Sequence, residues 1–597
     1  MKTMRVLLLL AAGVVWLPPA LAQTACPPTA IFSTCELAFE LTGAEAAAHK
    51  TPYRDVELRI EFRSPRGRTF AIPAFWDGGT TLRLRFTPNE VGNWVGHVTS
   101  NVASWNDKQV TLTASESSAP GFVEAANVHH FEYTGPFAYN SLPSPHLWMG
   151  QVIPNLSALS PDQFAQLAAT RAKQKFNHFR ITLLDAEVAK SFRTPEDFDP
   201  AVFRSIDEKL KAANQQGISI DLSLAGPNDQ FVKLFPDRTQ RRRFVQYAVA
   251  RYAGLNMTWQ GIDRFETYTN GRELMREIAG YLGEFDAYHH PISSGTNSTS
   301  GTMFDDKWMK YITYASPDYQ VSAVEHQIYA SPQVSDFAGA NTTDAATFRK
   351  RLWNNWMSGA YPEATIPNEE AARAMQVWYQ FAATTRHWDL EPFFDVDGGR
   401  GMYLPTVEYI IYIDKPGPVD VHLDDKHKWD VEWINPIDGE STVLKDFKAE
   451  EFQGSPPDNA HDWVLHISRE SHKAGMAKSY KFESWEIVMQ EVEGILDKVP
   501  FDIAKPEGDT FSLSVLPPYQ IKIKKETKAT KKMMYLWTGE VTADGQGYRV
   551  IGTGPEGIFN IPSNIVSRFP AGIHVRVIGV NGYGKVYQVD KNYQLNR

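Results

Sequence analysis

"SPDQFAQLAATRAKQKFNHFRITLLD", residues 160–185, decides the fold. Ser160 followed by Pro161 is a helix start: a hydroxyl cap, then a residue whose fixed φ suits the first turn and which has no N–H left to satisfy. The segment from Phe176 to Asp185 then reads as a strand. Working outward, "FRSIDEKLKAANQQG" is a helix closed by Gly217, "ISIDLSLAG" a strand, "RTQRRRFVQYAVARYAG" a helix ended by Gly254 and "LNMTWQGI" a strand. "GRELMREIAGYLGEF" continues as a helix and "PISSGT" as a short strand. "VSAVEHQIY" (321–329) and "PQVSDFA" (332–338) are expected as strands, followed by the helix "DAATFRKRLWNNWMSG", the short "AYPEAT" and the helix "NEEAARAMQVWYQFAATT". With "LWMGQVIP" at 147–154 as the first strand, this alternation predicts a central (β/α)8 TIM barrel over 136–400.

On either side the apolar period falls to two. Val56, Leu58, Ile60 and Phe62 share one face, "SPRG" turns the chain, and Leu82, Leu84 and Phe86 alternate again, which predicts a β-sandwich over 23–135. After Gly401, "VEYIIYIDKPGPVDVHL", "KWDVEWINPIDGE" and "HDWVLHI" predict a small antiparallel β domain over 401–470. Residues 471–597, with a hairpin signal at Asn581-Gly582, predict a further immunoglobulin-like or fibronectin-like sandwich. The chain is therefore multidomain, a barrel between all-β domains, as 597 residues require of a protein whose cores have a size limit.

The first residues carry Lys2 and Arg5, an apolar run from Val6 to Leu17 and the small-residue site Ala20, Leu21, Ala22, which predicts a secretory signal peptide over 1–22 and a secreted or periplasmic protein. No later segment is long and apolar enough to insert the mature chain in a membrane. Cys26 and Cys35, the two cysteines of the chain, are expected to form a disulfide, with a lipid anchor on Cys26 as the rival reading. A net charge of −10 repels phosphate backbones and argues against nucleic acid as a partner. The 16 Trp, 24 Tyr and 33 Phe supply faces on which sugar rings stack, although most must be core.

The stretch "AIPAFWDGGTTLRLRFTPNEVGNWVGHV" (71–98), through Phe75, Trp76, Asp77, Gly78 and Gly79 and then Arg85, Phe86, Pro88, Glu90, Gly92 and Trp94, resembles the N-terminal immunoglobulin-like domain of unassigned function that precedes the barrel in many bacterial chains classed as glycoside hydrolases. Its aromatics are read as core and turn packing. The barrel and its flanks resemble the apiosidase-like barrels of the large retaining clan. That resemblance implies an acid/base Glu in an Asn-Glu pair at the end of the fourth strand and a nucleophilic Glu at the end of the seventh. This sequence departs from it: "NMTWQGIDRFETY" puts Asp263 and Arg264 at the Asn-Glu positions, with Glu266 two residues on, and "PQVSDFA" puts Asp336 at the nucleophile's place.

Barrel enzymes act at the C-terminal ends of their strands, and glycoside hydrolysis needs two carboxylates, one protonated and one ionised. Glu266 is the candidate acid/base, its setting beside Phe265 and Tyr268 expected to raise its pKa, unless it pairs with Arg264 or Arg272 on a solvated loop. The second carboxylate is Asp336, unless that residue caps the following loop, or Glu325, whose place in an expected strand is costly unless paired or functional. Trp148, Trp259, Gln260, Asp263, His326 and Tyr329 are candidate sugar-binding or orienting residues. Asp185 either binds hydroxyls or caps the next segment, and Arg180 needs a buried anion, which one of these carboxylates would supply. "FDVDGG" (394–399) resembles a calcium loop, but Thr406 stands where the closing Glu belongs, so no metal and no cofactor is expected. HExxH, GxSxG and P-loop motifs are absent from the sequence. The reading is a glycoside hydrolase acting on a carbohydrate. The alternative is a non-catalytic carbohydrate-binding protein on a degenerate barrel; a purely structural adhesin would leave the strand-end carboxylates without a role.

Overall fold

Seven parallel strands form the centre of the computed structural model: β1 (Gly150–Ile153), β2 (His178–Leu184), β3 (Ser219–Ala225), β4 (Met257–Ile262), β5 (Ile312–Tyr314), β6 (Gln333–Asp336) and β7 (Ala360–Ala364). They pair in the order β4-β3-β2-β1-β7-β6-β5. The structure describes residues 26–596 apart from 127, 136–143, 339–341, 470–498, 506–507, 513–517, 525–529, 531, 543–546 and 561–570. The signal-peptide segment 1–22 lies outside the described residues. The two edges of the sheet are linked by residues 291–293: Trp259 N donates to Pro291 O at 2.8 Å, Ser293 N to Trp259 O at 2.7 Å, and Lys310 N to Ile292 O at 2.9 Å.

Helices follow the strands for local reasons. Pro161–Lys173 begins with the expected Ser160 cap, closed into a capping box by Gln163. Pro200–Gln215 and Arg238–Tyr252 are capped by Asp199 and Asp237. β3 is buried along its whole length, as befits a parallel strand covered on both faces. Of the segment 321–329, expected as a strand, residues 321–326 instead belong to the helix Tyr319–His326. Asp318 accepts from Gln320 N at its start, and Val321 and Val324 pack three residues apart in the core, so helical spacing overrides the apparent alternation. "AYPEAT" is β7, a full member of the sheet.

The N-terminal residues form a five-stranded and a three-stranded sheet that bury Leu37, Phe39, Ile60, Phe62, Leu84, Phe86 and Trp94 between them. Cys26 and Cys35 are joined by a disulfide with Cα atoms 6.0 Å apart. This unit is fastened to the helices behind the central sheet by a buried ion-pair network. Arg85 binds Asp207 at 2.6 Å, Arg251 binds Asp77 at 2.9 Å and Asp207 at 2.7 Å, and both guanidinium groups lie over the Phe75 ring.

A separate antiparallel sheet runs from Glu391–Phe393 to Trp463–Arg469. It starts ahead of the boundary expected at 401, because the glycines at 398 and 399 lie within the sheet's own connections rather than in a linker. The described C-terminal residues form a three-stranded and a five-stranded sheet around Tyr535, Trp537, Val575 and Val577. The strands Ala571–Val580 and Val586–Asn596 pair across the turn at Asn581. Among the described residues no helix is long and apolar enough to cross a membrane.

Candidate functional site

Alternate residues of a strand face one side, and the inner side of the central sheet carries a continuous polar network. Arg180 of β2 donates through Nε to Asp221 of β3 at 2.9 Å and pairs through its terminal nitrogen with Glu363 of β7. Asp221 also accepts from Thr258 (2.8 Å), from Gln260 Nε2 (2.8 Å) and from the Tyr311 hydroxyl (2.6 Å). Gln260 further donates to Tyr311 and Thr313, and Thr313 is tied to Ser293 at 2.9 Å. Glu363 fits because residue 150 is glycine: a Cβ there would lie 2.5 Å from its Oε1. Buried charge is tolerated only when paired. The expectation that Arg180 needs an anion holds, but its partners are Asp221 and Glu363, neither of which the sequence reading singled out. The signal was present in "ISIDLSLAG" and "AYPEAT", where a carboxylate interrupts an otherwise buried strand.

Above this network, at the C-terminal strand ends, lie Asp336, the last residue of β6, and Asp263, Arg264 and Glu266, just past β4. Burial pushes the Asp336 carboxyl up to about 6; Arg180 and Arg264 oppose the rise, and the Asp263 charge adds to it. Burial also raises Glu266, with a smaller push from Asp263. Asp263 is thus an electrostatic neighbour of both. Glu266 does not pair with Arg264 or Arg272. Its carboxylate accepts from the Thr296 hydroxyl and from Asn297 N at 3.0 Å, while Arg264 binds Asp263 at 3.2 Å and Arg272 binds Asp306 at 2.9 Å. Arg264 sits in the left-handed region with φ +48°, and the chain turns there before the short helical turn that carries Glu266. Glu363 is raised by burial and by the Asp221 and Asp336 charges, against the pull of Arg180.

The remaining expected residues lie elsewhere. Glu325 belongs to the helical layer: Tyr311 and Thr313 point inward, so Tyr314 points outward, and Glu325 accepts from its hydroxyl at 2.8 Å and from Thr299 at 2.6 Å. His326 ends the helix after β5, which places it at the N-terminal end of the strands, beside His129 and Glu391 rather than with Asp336. Tyr329 follows it, its ring against Phe304. Trp148 precedes β1 and is stacked on His178 with ring centroids 3.4 Å apart, fully buried. Trp259 is equally buried and donates to Asp286 at 3.0 Å, so it offers no face to a sugar. Gln260 has its amide committed to the inner network. Asp185 takes the capping alternative, accepting from Glu187 N and Val188 N, both at 3.0 Å, and from Ser157. Of the expected carboxylates, Asp336, Asp263 and Glu266 share one electrostatic environment and Glu325 stands apart from it.

Residues 29–101 match a family described as a domain of unknown function (DUF5060). No curated protein matches the chain. Among solved structures, the chain is similar to a "putative glycoside hydrolase" from Bacteroides vulgatus ATCC 8482, with 18% identity, a TM-score of 0.62 and coverage of 75% of this chain and 100% of that one. It is also similar to a glycoside hydrolase with 11% identity, a TM-score of 0.50 and coverage of 59% and 98%. At these identities the likeness is one of fold: the chain shares the architecture of these two structures.

Proposed function

We propose that the chain is a secreted glycoside hydrolase of apiosidase-like kind whose central sheet closes as a (β/α)8 barrel, with residues 291–293 as the fifth strand and Gln333–Asp336 as the seventh. The backbone bonds from Trp259 and Lys310 to that segment support the closure. The leader-like first residues support secretion. The observation that carries the function is the grouping of Asp336, Asp263 and Glu266 at the C-terminal strand ends over the paired Arg180, on a glycoside hydrolase architecture. In this reading Glu266 is the acid/base, its carboxyl raised by burial and donating to the leaving oxygen. Asp336 is the opposing carboxylate, ionised above about pH 6 with Arg180 and Arg264 limiting the rise that burial causes, and acts as nucleophile or as base toward water according to the separation of the pair.

Arg264 favours a second reading. It occupies the position at which the resemblance would place the acid and is bound to Asp263, so a site that holds sugar without cleaving it also fits. Incubating purified protein with plant, algal and microbial polysaccharides and with aryl glycosides separates the two. Hydrolysis requires sugar release that falls by about a hundredfold or more in Glu266→Gln and in Asp336→Asn. Release undiminished in both variants refutes the assignment of the residues, and saturable binding without release selects the second reading.

A further inference from the structure

At the opposite end of the central strands, two segments distant in sequence bring three imidazoles around a carboxylate of a third. His129 Nδ1 lies 3.1 Å from both oxygens of Glu391, and His326 Nε2 lies 3.4 Å from Oε2. His130 Nε2 is 3.5 Å from Oε1 and meets no hydrogen-bond geometry there. His129 and His130 precede the central sheet, His326 ends a helix within it, and Glu391 opens the next sheet. All three histidines are buried and Glu391 is partly so.

Tautomers decide what this cluster can hold. His129 Nε2 faces the Tyr329 carbonyl at 3.1 Å, an acceptor only, so the ring proton sits on Nε2 and the Nδ1 lone pair points at the carboxylate. Two lone-pair bearers 3.1 Å apart repel unless something positive lies between them. A second proton on His129 relieves this pair in the metal-free protein; a divalent cation in its place also engages His326, whose ring lies against His129 with centroids 3.9 Å apart and whose Nε2 faces the same carboxylate. One divalent cation satisfies both rings and the carboxylate together. The His129 N–H to a backbone carbonyl is the outer hydrogen bond that orients metal-binding histidines. His130 is prepared in the same way, with Nδ1 2.8 Å from the Tyr361 hydroxyl and Nε2 facing inward. Gly359 keeps the space open: a Cβ there would lie 2.2 Å from the His326 ring, and its φ of +87° suits glycine.

We propose that His129, His326 and Glu391, with His130 as a fourth donor, form a binding site for a divalent transition-metal ion, zinc by donor chemistry, that clamps the sheet beginning at Glu391 to the N-terminal end of the central strands. The donor atoms of His129, His326 and Glu391 lie within 4.8 Å of one another. Two donors on one zinc ion at about 2.1 Å each are at most about 4.2 Å apart, so the site draws in by side-chain rotation on loading. Nitrogen and carboxylate donors without thiolate suit zinc, with nickel and copper as competitors.

The test uses the full chain, stripped with chelator and returned to metal-free buffer. Titration with zinc chloride is expected to show one tight equivalent and a rise in melting temperature, and cobalt(II) loading to give the visible absorption of a four- or five-coordinate histidine site. His326→Ala and Glu391→Gln should each weaken binding by at least about tenfold, while His97→Ala, at an exposed surface position, leaves it unchanged. A folded wild-type protein that binds no zinc at micromolar concentrations overturns the proposal without recourse to any variant and leaves a histidine–glutamate ion cluster only. So does an equivalent of zinc that persists undiminished in the His326→Ala, Glu391→Gln double variant.

Discussion

Replacing Asp336 with Asn should stabilise the protein, increasingly so as pH rises, while lowering the proposed sugar release by about a hundredfold or more. The Asp336 carboxyl rises from 3.8 to about 6 on folding, mainly through burial. Between those values the native state holds a proton that the unfolded state has released, so stability falls as pH rises through this window and stays low above about 6. Each pH unit is worth about 1.4 kcal/mol, which gives a ceiling of about 3 kcal/mol for the whole rise and about 2 kcal/mol between about pH 4 and pH 7.5. Asn, neutral and nearly isosteric, does not titrate. The difference in melting temperature between variant and wild type should therefore widen over that interval by at most about 4–8 °C. Comparing the same pair at two pH values cancels whatever constant penalty the amide brings. Scanning calorimetry at both pH values, read on the transition of the central sheet, measures the widening. A gap that is flat, or that closes toward neutral pH, would show that Arg180 and Arg264 outweigh burial and that Asp336 carries no stored cost. Loss of sugar release in the same variant would then tie that cost to function.

Other outcomes follow from the same geometry. Hydrolytic activity should climb with pH through about 6 as Asp336 ionises; a pH profile of kcat/KM already at its plateau near pH 4 contradicts its role as the ionised partner. Arg180→Ala leaves the buried Asp221 without its cation and should destabilise the central sheet by about 3–5 kcal/mol, seen by denaturant titration. Arg251→Met removes the centre of the network with Asp77 and Asp207 and should loosen the N-terminal unit from the helices, seen as earlier proteolysis at their junction. Cys35→Ser opens a disulfide across a separation of nine residues and should cost about 2–3 kcal/mol in the N-terminal unit.

The sequence made the strand–helix alternation readable because caps and helix-ending glycines are local chemistry: Ser160 needs only Gln163 to start its helix. A misplaced element has an equally local cause. Residues 321–329 alternate well enough to pass for a strand, and the helix is settled by Asp318 capping its start and by burial of Val321 and Val324 on one side. "AYPEAT", short and carrying a proline, serves as the expected strand because a parallel strand buried on both faces needs only five residues when its neighbours supply the rest of the ladder. The site was half legible. Asp336 and Glu266 lie at strand ends, the positions that singled them out, whereas Glu325, expected on a strand, lies on a helix. Asp221 and Glu363 carry the same signal as Arg180, a charge inside a buried strand that must have a partner. Trp148 and Trp259 illustrate a further limit: no local feature of a tryptophan tells whether its ring faces a cleft or a core, and here both are fully buried.

The charge balance beneath the site bears on how it would work. Arg180 is one cation facing three carboxylates, Asp221, Glu363 and Asp336. Asp221 is surrounded by donors from Arg180, Thr258, Gln260 and Tyr311. Glu363 has no such set, and its burial beside two other carboxylates makes it the group that keeps a proton. A neutral Glu363 leaves Arg180 free to favour ionisation of Asp336, whereas an ionised Glu363 would draw that influence onto itself. The inner network therefore sets the charge of the residue at the strand end, and Glu363→Gln, which fixes the neutral form, should leave the acid limb of the pH profile near about 6. If that limb moves by more than about one pH unit, Glu363 shares its charge with Asp336, and the two titrate as a pair.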